Sequence, residues 1–197
     1  MSQAQIVNGM DDSPRGKLLS AAARLFRENG FDRTTVRDIA RETGIQSGSL
    51  FHHFASKEDI LFAVMIEVIR FNTERLRQAV AGVANPVEQL RRLIRAELQS
   101  IVGDTSEAMT VLVYEWRCLS EEKQKEALAG RQVYERIWLD SLKAAQDAGQ
   151  MTADPLVMRR LINGMTSWTS NWFDPDGSLD LDGLTEAILA RIVTPAS

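Results

Sequence analysis

Residues 36–54 constrain the fold more than any other part of the chain, because small residues stand where two short helices can cross. Ala40 offers a small contact, and Gly44 lies where a turn needs a positive φ, which glycine adopts at little cost. Three apolar residues can pack the second helix on the first: Ile39, Ile45 and Leu50. The spacing predicts a helix-turn-helix, and an ordinary pair of core helices explains this combination less well.

Polar residues of the motif are left on its outer side once the apolar ones face inward. They are short or hydrogen-bonding groups suited to base edges and phosphates: Arg37, Gln46, Ser47, Ser49 and His52. We therefore expect the segment after Gly44 to be a recognition helix in the major groove of double-stranded DNA.

The charge distribution agrees with this expectation, although the chain as a whole carries a net charge of −4. Residues 13–57 contain eight basic and four acidic side chains, which gives +4, whereas residues 58–197 contain 15 basic and 21 acidic ones, which gives −6. We call residues 13–57 the head and residues 58–197 the body. A basic head on an acidic body suits phosphate binding by the head. So small an excess supports DNA binding without establishing it.

Helical periodicity and capping signals run through the whole chain, with no alternation long enough to predict a strand. Gly30 is placed to end a first helix, and Thr35 with Asp38 forms a capping box. Further helices are predicted from these positions: Ser47 to Phe54, Ser56 (with Asp59) to about Val80, Asn85-Pro86 to Gly103, Asp104 (with Glu107) through Arg117, Ser120 to Ala148, Asp154-Pro155 to Phe173, and Leu184 to Ile192. The predicted fold class is all-α.

The head also resembles the TetR family of bacterial regulators. The resemblance covers about residues 14–62 and rests on these residues: Gly30-Phe31, Thr34-Thr35-Val36, Ile39-Ala40, Gly44-Ile45, Gly48 to Phe54 and Ser56-Lys57-Glu58. It implies a three-helix DNA-binding domain over residues 13–56, followed by a helical ligand-binding and dimerisation domain over residues 57–197. It further implies a homodimer built from the last two helices, and a ligand that releases operator DNA by changing the spacing of the two heads.

The family pattern also implies roles for single residues of the head. Thr34, Thr35, His53 and Lys57 match positions that contact phosphate or lie at helix ends. Gln46, Ser47, Ser49 and His52 match positions that face the groove. Phe51 stands where the family often has tyrosine, and because a phenyl ring cannot donate to phosphate, we expect packing alone from it.

A small-molecule site is expected in the body, which contains all four tryptophans and most of the methionines. We predict an apolar pocket near these residues: Phe71, Met109, Trp116, Arg117 and Trp168. Plain core packing remains the alternative for any one of them.

The end of the body also resembles regulators of sterol and fatty-acid breakdown that respond to acyl-CoA thioesters. The resemblance lies in the pattern Trp168-x-x-x-Trp172-Phe173-x-Pro175-x-Gly177. It implies that one or more arginines bind the phosphates of coenzyme A: Arg70, Arg75, Arg77, Arg117, Arg159 or Arg160.

Dimerisation is expected because the last two predicted helices carry more apolar surface than one copy can cover. The residues are Leu156, Val157, Leu161, Ile162, Met165, Trp168 and Trp172 on the first, and Leu184, Ala187, Ile188, Ala190 and Ile192 on the second. A four-helix interface between two copies would bury them, and its two-fold symmetry predicts a palindromic operator.

Other function classes find less support in the sequence. No glycine-rich phosphate loop, HExxH motif or nucleophile motif is present, so neither an enzyme nor a cofactor is predicted. The adjacent His52 and His53 point about 100° apart on a helix and cannot chelate one metal ion together. A single cysteine, Cys118, fits a reducing cytoplasm, and no apolar run approaches the ~18 residues of a membrane span. An interaction adaptor that keeps the motif as scaffold remains the third hypothesis.

Overall fold

The structure is a computed structural model, and it describes residues 9–45 and 54–194. This part of the chain is helical and contains no strand, which confirms the all-α prediction. Its α-helices are α1 (Pro14–Asn29), α2 (Val36–Thr43), α3 (Lys57–Val80), α4 (Pro86–Val102), α5 (Ser106–Tyr114), α6 (Glu121–Asp147), α7 (Pro155–Ser167) and α8 (Leu181–Ile192). Short 3₁₀ helices lie at Trp116–Cys118 and Trp168–Asn171.

Several predicted helix starts are confirmed at the level of single hydrogen bonds. Thr35 and Asp38 form the reciprocal capping box of α2. Asn85 accepts from the amide of Glu88 at the start of α4, and Asp154 accepts from two amides at the start of α7. In each case a side-chain oxygen satisfies an amide that the helix itself leaves without a partner.

Other predicted boundaries are wrong. Helix α5 begins after Thr105 rather than at Asp104, without a side-chain cap, and ends at Tyr114. Trp116 and Arg117 therefore lie in a 3₁₀ turn and not in the predicted helix. The helix that was expected to reach Phe173 becomes 3₁₀ after Ser167, and α8 begins earlier than predicted because Asp180 caps it.

The chain forms two compact units, one from residues up to Phe71 together with 104–131, the other from 72–103 together with the residues from Gln132 on. In the first unit, α1 packs on α2 and on α5. Its core contains fully buried side chains from four helices: Leu19 and Phe26 (α1), Ile39 (α2), Leu61, Val64 and Met65 (α3), and Ala108 (α5). The predicted boundary between residues 56 and 57 stays a prediction.

In the second unit, α4 packs on both α7 and α8. Its core is built from α4, α6, α7 and α8: Leu90, Leu93, Ile94 and Leu98, Trp138 and Leu142, Ile162, and Ile188. Within the described residues no helix is long and apolar enough to cross a membrane.

Candidate nucleic-acid interface and ligand site

The loop between α1 and α2 is stabilised by Thr34, whose side chain is 1% exposed. Its hydroxyl donates to the carbonyl oxygens of Leu25 (3.1 Å) and Gly30 (2.9 Å). These bonds hold the loop against the end of α1, and Thr35, the next residue, caps α2. The predicted phosphate contact of Thr34 stays a prediction, but its hydroxyl is already bonded inside the protein.

Lys57 holds the same loop from the first residue of α3. Its Nζ donates to the carbonyl oxygens of Phe31 (2.7 Å), Thr34 (2.9 Å) and Asp32 (3.3 Å), and it lies 4.2 Å from the centroid of the Phe31 ring. An ammonium group has three protons to donate, so these carbonyls account for its donor capacity. The sequence showed a basic residue here, but not the carbonyls, which only the folded loop brings together.

Thr35 and Arg37 lie at the start of α2, and both are exposed. The hydroxyl of Thr35 bonds Asp38, which lowers the pKa of the Asp38 carboxyl and keeps it ionised. Within the described residues, Arg37 has no ion-pair partner. A helix N-terminus with a guanidinium beside it attracts phosphate, since the amides and the charge favour the same anion.

The turn after α2 has the backbone that the sequence predicted. Gly44 adopts φ 68°, in the left-handed region, and the amide of Ile45 donates to the carbonyl of Ala40 at 3.0 Å. Ala40 and Ile39 are buried under this turn. Gln46, Ser47, Ser49, His52 and His53 lie outside the described residues, so the recognition helix and its five site residues stay predictions.

Residues 104–131 are bonded to the head within the first unit, which the sequence did not indicate. The Glu115 carboxylate accepts from the amide of Phe31 at 3.2 Å. Lys123 on α6 donates to Asp59 at 2.5 Å, while Glu58 accepts from the amide of Ser120 at 2.8 Å.

The pKa values of both acidic partners reflect these bonds. The bond from Lys123, followed by that from Ser56, lowers the pKa of Asp59, and the bond from Ser120 lowers the pKa of Glu58. Both carboxylates are therefore held in their charged forms, in which they accept hydrogen bonds best.

The predicted ligand residues are divided between the two units. Phe71, Met109 and Trp116 are half-buried and Arg117 is exposed in the first unit, with Met109 and Trp116 against its core. Trp168 belongs to the second unit and is 65% exposed. An open cavity of about 340 Å³ in the second unit is lined by none of them but by these residues: Arg95, Val102, Gly103, Phe173, Pro175, Asp180, Leu181 and Asp182. The predicted ligand set stays a prediction.

Arg159 is not available for a ligand phosphate, because it lies at the centre of a buried ion network in the second unit. Its guanidinium bonds Glu97 at 3.0 Å and Glu135 at 2.9 Å, and it stacks 4.6 Å from the centroid of Trp138. Although burial alone would lower the pKa of Arg159, the two carboxylates raise it. The other five candidate arginines are half-buried or exposed.

Helix α7 and the turn after it expose a row of apolar side chains in the second unit. Leu161 is 55% exposed, Val157 56% and Trp168 65%, and Gly164 lies between them on the same face with open space around it. Part of the predicted interface is wrong, because four of its residues are core: Ile162, Leu184, Ile188 and Ile192. The outer face of α8 instead carries the small side chains of Ala187 and Ala190.

Comparison with known proteins identifies the family. Residues 18–64 match the family described as bacterial regulatory proteins, tetR family, and residues 83–194 match the tetracyclin repressor-like C-terminal domain. The second match alone spans more than half of the chain.

The chain belongs to the TetR family of bacterial transcriptional regulators. Among curated relatives of this TetR-family protein is the HTH-type transcriptional repressor KstR2 of Mycobacterium tuberculosis, 34% identical over 95% of this chain and 94% of KstR2. The fatty acid metabolism regulator protein of Bacillus subtilis is 26% identical, and the match covers 90% of this chain and 93% of that protein.

Solved structures give the same fold. The superantigen PfiT is 51% identical, with a TM-score of 0.83 over 94% of this chain and 98% of that one. AibR in complex with isovaleryl coenzyme A and operator DNA is 26% identical, with a TM-score of 0.84 over 93% of this chain and 100% of AibR.

Proposed function

We propose that this TetR-family protein is a transcriptional repressor of the cytoplasm that binds a palindromic operator as a homodimer and leaves it when a small apolar effector binds the body. The observation that carries the proposal is the turn at Gly44, which ends α2 in a left-handed backbone over the small Ala40. A helix-turn-helix needs this turn to place its second helix in the major groove. The relationship to named repressors supports the same function.

The proposed DNA contacts combine the described start of α2 with the family resemblance of the segment after Ile45. Thr35 and Arg37 present a helix N-terminus and a guanidinium to phosphate, and Gln46, Ser47, Ser49, His52 and His53 supply the groove and backbone contacts of the recognition helix. We assign Thr34 and Lys57 a different role, because their polar groups already bond the α1–α2 loop. Phosphate contacts position the protein, whereas base contacts select the sequence.

The proposed dimer buries the apolar face of α7 against a second copy. Val157, Leu161 and Trp168 share this face, and Gly164 between them allows a close helix approach. The small Ala187 and Ala190 on the outer face of α8 would let a partner helix lie near that helix too. Monomeric proteins rarely expose a continuous row of large apolar side chains. Such a row therefore favours a protein–protein interface.

An acyl-CoA thioester is the proposed effector class. Support comes from the aromatic pattern that starts at Trp168 and from AibR, whose structure contains isovaleryl coenzyme A together with operator DNA. Half-buried Phe71, Met109 and Trp116 offer apolar surface for an acyl group, and Arg117, which follows Trp116 in the sequence, offers a charge for a phosphate. The exposed Trp168 of the second unit stays a separate prediction.

No catalytic activity is part of this proposal. Among the described residues, no three His, Cys, Asp or Glu side chains lie close enough to hold a metal ion. Cys118 is a weak nucleophile, because burial and its bond to Glu115 raise the pKa of its thiol.

The test is a titration of the protein bound to a fluorescent promoter fragment taken from beside its own gene. We expect binding to this fragment over bulk DNA, a steep loss of affinity with salt, and release by an acyl-CoA from a series with isovaleryl, palmitoyl and steroid acyl chains. Free coenzyme A is the matched control and should leave the complex intact. Unchanged DNA affinity with every thioester would contradict the effector class, and no preference for the fragment would contradict the repressor itself.

A further inference from the structure

Two side chains of opposite charge bond the backbone of the loop between α1 and α2 in the first unit. Lys57 donates to the carbonyl oxygens of Phe31 and Thr34, as described above. Oε1 of Glu115 accepts a hydrogen bond from the amide of Phe31. Phe31 is thus bonded at both its N–H and its C=O by charged side chains. Because the backbone of the loop is bonded on both sides of this residue, the loop has a defined position before DNA binds.

The second oxygen of Glu115 is bonded to the 3₁₀ turn that follows it. Oε2 accepts from Sγ of Cys118 at 3.4 Å, at the end of the turn Trp116–Cys118. One carboxylate therefore bridges the turn and the loop, with one oxygen for each. Trp116 and Arg117, two of the proposed effector contacts, lie inside this same turn.

We propose that Glu115 is a positioning residue that couples the turn Trp116–Cys118 to the helix-turn-helix. Its bond to the Phe31 amide keeps the α1–α2 loop in the arrangement that binds the operator, and a displacement of the turn withdraws the carboxylate from that amide. The inference rests on the proposed repressor function and deepens it, because it names the bond through which the body controls the head.

The bond between Glu115 and the Phe31 amide depends on the length of the Glu115 side chain. Two substitutions separate the effect of this length from the effect of the charge. Glu115→Gln keeps the length and an acceptor oxygen but removes the charge. Glu115→Asp keeps the charge but shortens the side chain by one carbon–carbon bond, roughly 1.5 Å, so that it no longer reaches Phe31. Glu115→Ala gives the short variant without a charge, and Glu126→Asp on the exposed face of α6 is the matched control.

Hydrogen exchange at the Phe31 amide and operator affinity without any effector are the two measurements. We expect Glu115→Asp and Glu115→Ala to speed exchange at Phe31 and to weaken operator binding by up to about tenfold each, the effect of one lost hydrogen bond. Glu115→Gln and Glu126→Asp should stay within about threefold of the wild type in both measurements. Thermal melting of each variant establishes that it is folded at the temperature used.

Three outcomes would overturn the inference. Wild-type exchange and affinity in both short variants would show that the bond does not position the loop. Loss in Glu115→Gln with retention in Glu115→Asp would show that the charge acts and the bond does not. Faster exchange at Phe31 with unchanged affinity would show that the loop does not control DNA binding. Absence of any operator preference in the wild type contradicts the proposed function instead, and the exchange measurement still decides whether Glu115 holds the loop.

Discussion

The surroundings of the α1–α2 loop in the first unit and of α7 in the second unit place charged and apolar side chains differently. In the described part of the first unit, charged groups such as Lys57 and Glu115 bond backbone atoms of a surface loop, while the apolar residues of α1 to α3 are largely buried. In the second unit, Arg159 and Glu97 form an ion pair inside the core, while Leu161 on α7 and Trp168 just after it are exposed. The first unit fixes a surface for a ligand that is polar, and the second is completed by a partner that is apolar.

The largest expected effect comes from the charge inside the second unit. Arg159→Met removes the cation and leaves the buried Glu97 without its ion-pair partner, which should lower the free energy of unfolding by about 3–5 kcal/mol. Urea unfolding followed by tryptophan fluorescence measures this loss. Arg160→Met is the matched control, since the neighbouring side chain is exposed, and it should unfold like the wild type. Equal stabilities of the two variants would contradict the comparison.

The apolar face of α7 gives the second prediction. Leu161→Arg places a charge in the proposed dimer interface and should weaken self-association by about 2 kcal/mol or more, which sedimentation at micromolar concentrations resolves. Leu128→Arg changes an exposed leucine of the first unit (48% exposed) and should leave the dimer intact. Monomerisation by Leu128→Arg and not by Leu161→Arg would reverse the roles of the two units.

A smaller effect is expected at the cap of α2. Thr35→Ala removes the oxygen that accepts from the Asp38 amide and should destabilise the first unit by about 1 kcal/mol. Thr35→Ser keeps a hydroxyl and should recover most of this loss. The measurement is the midpoint of urea unfolding, and an unchanged midpoint for Thr35→Ala would show that the cap does not stabilise α2.

The smallest predicted effect is the response of the first unit to acid. The pKa values of Asp59 and Glu58 are lowered in the folded protein from 3.8 and 4.5, so their stabilisation is present above those values and is lost as the pH falls through the lower, folded ones. Lys123→Met should therefore reduce stability slightly at neutral pH, and its effect should shrink as the pH falls below 3.8, the ordinary pKa of Asp59. An effect of Lys123→Met that stays constant from pH 7 to pH 3 would contradict the assignment.

Much of the fold could be predicted from local signals. Asp154 followed by Pro155, and Thr35 followed by Asp38, begin helices in the structure because a cap is a bond between near neighbours in sequence. Gly44 was predictable for the same reason. The end of α5 at Tyr114 was not, since neither glycine nor proline marks it and the following residue, Glu115, makes its bonds to Phe31 and Cys118 instead.

The site was predictable in chemical character but not in its internal bonds. The sequence showed that Lys57 is basic, and the loop carbonyls around it come from the folded chain. Helical periodicity likewise showed that α7 and α8 are apolar, but it did not separate the buried Ile162 and Ile188 from the exposed Leu161. When a helix is apolar on two faces, its sequence shows one broad apolar pattern. The helices packed against it determine which of the two faces is buried in the core.

Selection of chromosomal DNA by the purified protein tests the central claim most directly. Sheared DNA of the source organism is passed over the immobilised wild-type protein, and the retained fragments are sequenced and footprinted. The account predicts enrichment of a few fragments that share a palindrome, with each half protected by one head of a dimer. Retention that follows fragment length alone, with no shared sequence, would contradict it.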